Sequence, residues 1–127
     1  MKVKEAIKKL RNSKERSIDL CFLTKEGEFF EFYVGGFFYD EYALKLKVVD
    51  CSQKPHLRLM YSSDLLNLLE DTPNKDAELV VEVNGKEIIP ETIKEVKADG
   101  YWVITIYEPG AEEMDDYDNL VEEYHIL

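Results

Sequence analysis

The chain has 127 residues, 45% of them hydrophobic and 34% charged, with a formal net charge of −11. This is the size and composition of one globular domain with a real core, and it excludes a disordered chain. No apolar run approaches the roughly 18 residues of a membrane span, and the opening MKVKEAIKKLRNSKER lacks a signal peptide's apolar stretch, so a cytoplasmic protein without membrane association is expected.

Charge is spread unevenly. Residues 1–16 carry seven Lys or Arg against two Glu, whereas residues 108–127 carry eight acids and no Lys or Arg. Such a surface disfavours direct binding of nucleic acid, which rewards the neutralisation of phosphates, and suits a basic protein partner. Cys21 and Cys51 each lie in a strand-like run, which fits buried reduced thiols better than a disulfide framework.

Val3, Ala6, Ile7 and Leu10 fall at i, i+3, i+4 and i+7, which predicts an amphipathic first helix with lysines on its outer face. From Ile18 the period becomes two, with Ile18, Leu20 and Phe22 on the core side of a strand and Cys21 and Leu23 on its reverse. Lys25-Glu26-Gly27 turns the chain, and Phe30, Phe32 and Val34 continue the core face of a second strand. On the reverse, Cys21, Leu23, Phe29 and Tyr33 would form an apolar patch that calls for a covering element or a partner, and so is a candidate homodimer surface.

Eight aromatics fall between Phe29 and Tyr42, interrupted by Gly35-Gly36. Their neighbours Glu28, Glu31, Asp40 and Glu41 are acidic, which argues against base stacking and for core packing or a protein interface. The double glycine predicts a tight turn or bulge, since no phosphate-loop spacing accompanies it. Leu44, Leu46 and Val48 alternate in a third strand, and Leu57 and Leu59 suggest a short one.

Ser62 or Ser63 is placed to cap a second helix that buries Leu65, Leu66, Leu68 and Leu69, with Pro73-Asn74 stopping it. Ala77, Leu79, Val81 and Val83 alternate up to Asn84-Gly85, a strong hairpin signal. Ile88 and Ile89 return, Pro90 breaks, Ile93 to Val96 suggest an edge segment, and Tyr101 to Tyr107 (YWVITIY) predicts a well-covered strand. In the acidic tail, Met114, Tyr117, Leu120, Val121 and Tyr124 recur at helical spacing. Its Asp115-Asp116-Tyr117-Asp118-Asn119 run lacks the sixth-position glycine and the twelfth-position glutamate of a calcium loop.

Shifting the chain by 59 superposes helix, break, strand and glycine turn: Ile7 falls on Leu66, Leu10 on Leu69, Leu20 on Leu79 and Phe22 on Val81. The expectation is an α+β fold made of a duplicated α-β-β-β unit (about 1–51 and 57–108) in one domain, 1–108. Its sheet would be antiparallel with helices on one face, followed by an acidic C-terminal helix in 109–127.

The segment DLLNLLEDTPNKDAELVVEVNG resembles small phage and prophage accessory proteins built on a helix, strand and Asn-Gly turn, and VKEAIKKL follows the same pattern. The resemblance implies a phage or mobile-element origin and a non-enzymatic role, and it brings no site residue with it. In composition the chain also resembles anti-CRISPR proteins, which implies occupation of a basic nucleic-acid-binding surface on a host nuclease.

His56 and His125 are the only histidines, and neither has a nucleophile or ligand at a recognisable spacing, so no catalytic, metal or cofactor residue is assigned. The candidate partner-binding residues are Tyr39, Asp40, Glu41, Tyr42, Glu112, Glu113, Asp115, Asp116, Tyr117, Asp118, Glu122, Glu123 and Tyr124. Two functions are carried forward: an acidic inhibitor of a host nuclease, and a phage assembly module acting as a homodimer.

Overall fold

The computed structural model describes residues 1–12, 17–53 and 60–112. The elements run α1 (Val3–Arg11), β1 (Asp19–Leu23), β2 (Phe29–Tyr39), β3 (Ala43–Asp50), α2 (Ser62–Glu70), β4 (Glu78–Val83), β5 (Lys86–Ile88), β6 (Thr92–Ala98) and β7 (Tyr101–Tyr107). The segment around Leu57 and Leu59 lies outside the described residues; of the tail expected to be helical, 109–127, residues 109–112 are described and form a turn and irregular chain, and the rest lies outside.

The fold is α+β, and the described residues form seven strands in the order β5-β4-β3-β2-β1-β7-β6. The all-antiparallel expectation is corrected: β1 runs parallel to β7, and β3 runs parallel to β4. The reason lies in the connections. The stretch between β3 and β4 holds α2, and a helical crossover returns the chain in the same direction, as a tight turn cannot. Strand β1 is joined to β7 only through the rest of the fold.

The sheet is strongly curled. Ile88 pairs with Val81 at one edge and Thr92 pairs with Tyr107 near the other, and four residues reach at most about 14 Å. The edge strands β5 and β6 therefore lie close together, linked through Ile89-Pro90-Glu91. Proline supplies no amide for a ladder, and at this break the chain passes from the β4 edge to β7.

Both helices feed one core. Val3, Ala6, Ile7 and Leu10 of α1 and Leu65 and Leu69 of α2 pack with Leu20, Phe22, Phe32, Leu44, Leu46, Leu79, Val81, Ile104 and Ile106. Each helix is also tied to the start of a strand. The Val3 amide donates to the Ala77 carbonyl at 2.9 Å, and the Ser62 amide to the Ile18 carbonyl at 2.8 Å.

Ser62 therefore does not serve as the expected N-cap. Its hydroxyl accepts from the Ile18 amide at 3.1 Å, which fastens it to the entrance of β1. Tyr61 takes the cap position, with its amide donating to Asp64 Oδ2 at 2.8 Å. The four leucines also divide: Leu65 and Leu69 are buried, while Leu66 and Leu68 are half-buried.

Gly35-Gly36 is a bulge within β2, where the register on β3 shifts between Val34 and Gly36. A Cβ at Gly35 would lie 2.8 Å from Val49 Cγ2, so the close approach of the two strands requires glycine there. Asn84 and Gly85 both have positive φ (52° and 81°), the geometry of a two-residue hairpin turn.

Candidate interaction surface

Strands β1, β3, β4 and β7 point one way and β2, β5 and β6 the other. The β2–β3 and β6–β7 turns therefore sit at the same end of the sheet. Aromatic side chains are exposed on both hairpins. Phe37, Phe38 and Tyr42 are 64%, 61% and 77% exposed, and Tyr101 and Trp102 are also open to solvent. Asp40, Glu41, Asp71, Asp76 and Asp99 are all exposed at this end.

The first hairpin is held firmly. Asp40 Oδ1 accepts from the amides of Tyr42 (2.8 Å) and Ala43 (2.9 Å), an Asx-type turn in which a side chain satisfies backbone donors. The Tyr39 hydroxyl accepts from the Asn74 amide at 3.0 Å, and Asn74 Nδ2 donates to the Glu41 carbonyl at 2.6 Å. The loop after α2 thus braces the hairpin, leaving the Tyr42 ring and the Glu41 side chain projecting.

The predicted site residues separate accordingly. Tyr39, Asp40, Glu41 and Tyr42 come together: Tyr39 and Asp40 brace the turn, and Asp40, Glu41 and Tyr42 are exposed. Glu112 is exposed at the far end of the described chain. Glu113, Asp115, Asp116, Tyr117, Asp118, Glu122, Glu123 and Tyr124 lie outside the described residues.

Of the four residues expected as a dimer surface, Cys21, Leu23 and Tyr33 are buried and Phe29 is exposed. Burial, aided by the nearby Glu31 carboxylate, pushes the Cys21 thiol up to about 12, so at neutral pH it is an inert thiol rather than a nucleophile. Both cysteines are free. Cys21 pairs with Glu31 while the Cys51 amide donates to the Glu31 carbonyl, so β2 runs between them.

Sequence reading missed Tyr101, Trp102, Asp99 and Asp71 as surface features. The Asp99-Gly100 turn signal was present, with both residues at positive φ, and a strand that starts at a two-residue turn exposes its first side chains. Among the described residues, no three His, Cys, Asp or Glu side chains gather as a metal site, and no helix is long and apolar enough to cross a membrane. Comparison with protein families, with curated proteins and with solved structures finds no match.

Proposed function

We propose that this chain is a non-enzymatic, acidic protein-binding inhibitor of phage or mobile-element type. It would occupy a basic nucleic-acid-binding surface on a host nuclease by charge mimicry and steric occlusion. The observation that carries the reading is the braced β2–β3 hairpin, which presents Phe37, Phe38 and Tyr42 beside Asp40 and Glu41. Aromatics fixed on a rigid turn lose little entropy on binding, and acids around them steer a basic partner and set register. With a net charge of −11, the chain itself repels nucleic acid.

The fold further supports a duplicated unit. The helices begin at residues 3 and 62 and end at 11 and 70. The isolated bridges join Lys2 to Glu78 and Tyr61 to Asp19, pairs that exchange under a shift of 59. Arg11 and Glu70, equivalent under the same shift, meet at 2.9 Å. In this reading β2 corresponds to β5 plus β6, one long strand in the first unit and a broken one in the second.

The functional reading is tested by affinity capture from nuclease-treated bacterial lysate with the wild-type chain and with a Phe38→Ser/Tyr42→Ser variant. The expected result is a retained protein with a basic nucleic-acid-binding surface, displaced by oligonucleotide and by salt, and retained at least several-fold less by the variant. Retention indifferent to both oligonucleotide and the double substitution would overturn the reading. Charge reversal at Asp115, Asp116 and Asp118 tests the contribution of the tail in the same assay.

A further inference from the structure

Between the β2–β3 hairpin and the C-terminal end of α2 lies a groove of about 420 Å³, with Leu44, Leu68 and Pro73 as apolar lining, Phe37 and Tyr39 as aromatic walls, and Asp71 at its rim. Phe37 pairs with Leu46 and Tyr39 with Leu44, so both rings stand on the face of the sheet that forms the core. Leu44 and Leu46 are buried there, yet Phe37 remains 64% exposed. The core face of the hairpin thus continues past the point where α2 ends. Tyr39 is fixed by its bond from the Asn74 amide, and the Thr72 hydroxyl is turned away to the Leu68 carbonyl at 3.2 Å.

The charged side chain that lines this groove is the Asp71 carboxylate. A helix C-terminus carries partial negative charge and favours cations nearby. The last turn of α1 follows this rule with Lys8, Lys9 and Arg11, whereas the last turn of α2 has no basic residue and is followed by Asp71. Among the described residues, Arg11, Lys75 and Lys4 near the end of α2 are already engaged. Arg11 is bonded to the Glu70 carboxylate at 2.9 Å, Lys75 Nζ donates to the carbonyls of Glu70 and Thr72, and Lys4 pairs with Asp76 at 2.7 Å. Among the described residues, the Asp71 carboxylate has no ion pair.

We infer that this groove is the docking subsite for an arginine side chain presented by a basic partner segment, an assignment that rests on the function proposed above. Guanidinium is planar and weakly hydrated, stacks on aromatic rings and forms paired hydrogen bonds with a carboxylate. Its plane lies on Phe37, its nitrogens reach Asp71, and its methylene stem runs along Leu68 and Pro73. A lysine ammonium matches the charge but cannot stack flat, and it holds its water more tightly.

The test is a titration of the nitrogen-15-labelled full chain with hexa-arginine and, separately, hexa-lysine at equal ionic strength, followed by amide shifts. Saturable shifts are expected at Phe37, Tyr39, Leu44, Asp71 and Thr72, with hexa-arginine about two- to fivefold tighter, the range of an exposed cation–π contact. Asp71→Asn and Phe37→Ser should each weaken hexa-arginine by about two- to fivefold and remove its advantage over hexa-lysine. Both substituted side chains are exposed, so melting temperatures near that of the wild type check the fold, and Asp71→Asn alone decides if Phe37→Ser is unstable.

Shifts centred on Phe38, Tyr42 or Tyr101, or equal affinity for the two peptides, would overturn the subsite while leaving the wider reading to the capture assay. Absence of any saturable shift would overturn it as well. If the shifts fall on the groove but lysate capture is indifferent to oligonucleotide, the subsite stands and the nuclease-inhibitor reading fails.

Discussion

Glu108 is 4% exposed and joins two separated parts of the chain. Its Oε1 accepts from the Lys25 amide at 2.9 Å, and its Oε2 from Lys86 Nζ at 3.0 Å. Burial alone would raise its pKa, but the Lys25 amide and the Lys86 ammonium outweigh burial and hold it below the ordinary glutamate value. A depressed folded pKa contributes stability that is present above the unfolded pKa and is lost as pH falls through the folded value. Glu108→Gln should therefore destabilise the protein by about 1–3 kcal/mol at pH 7 and flatten the loss of stability below the ordinary glutamate pKa of about 4.3. Urea midpoints measured between pH 3 and pH 7 check this, and an unchanged acid limb would show that Glu108 does not set it. The sequence marked Glu108 only as one of the tail's acids; its partners come from residues 83 and 22 positions away, which no local pattern could reveal.

Strand β2 is the element on which the candidate surface depends. Its first three residues pair with β1, and its remaining length pairs with β3 across the Gly35-Gly36 bulge. A bulge increases local twist, and past it the strand carries Phe37 and Phe38 on opposite faces to the tip. Gly35→Ala would place a Cβ 2.8 Å from the Val49 side chain, and relieving that clash should cost about 1–3 kcal/mol. Gly36→Ala, with open space around the added carbon, should cost much less. Thermal unfolding of the two variants distinguishes a steric requirement at Gly35 from a general glycine effect; equal losses would refute the steric account. A turn or bulge here was legible in the sequence because two glycines interrupt a run of alternating aromatics; that the strand continues through it was not. The break between β5 and β6 was legible only as Pro90; its role in joining the two edges of the sheet was not.

At the scale of the molecule, one core takes side chains from α1, α2 and the inward faces of strands in both halves. Leu69 of α2 is fully buried in it. Leu69→Ala should lower stability by about 2–5 kcal/mol, and the Trp102 fluorescence and far-ultraviolet circular dichroism transitions in urea should move together, as one cooperative unit requires. A Trp102 transition that stayed in place while the dichroism shifted would mean that the halves unfold separately. The same curled sheet brings the two aromatic hairpins to one end, where Asp71 and Asp99 join Asp40 and Glu41.

Local pattern alone determined both helices, the strand faces and the Asn84-Gly85 turn, because each depends on a period or turn chemistry within a few residues; at Gly35-Gly36 it left a tight turn or a bulge open, and the pairing of β2 with β3 decided for the bulge. Tyr39, Asp40, Glu41 and Tyr42 were marked as candidate contacts by their aromatic and acidic character, and which of them project was not legible there. The parallel pairing of β1 with β7 and β3 with β4 was decided only in three dimensions, since it depends on which edges the curl brings together. So were the burial of Cys21, Leu23 and Tyr33 and the groove between Phe37 and Asp71. An alternating strand shows which residues share a face, but what covers that face, and where a helix stops short of it, is settled by the packing of elements distant in the chain.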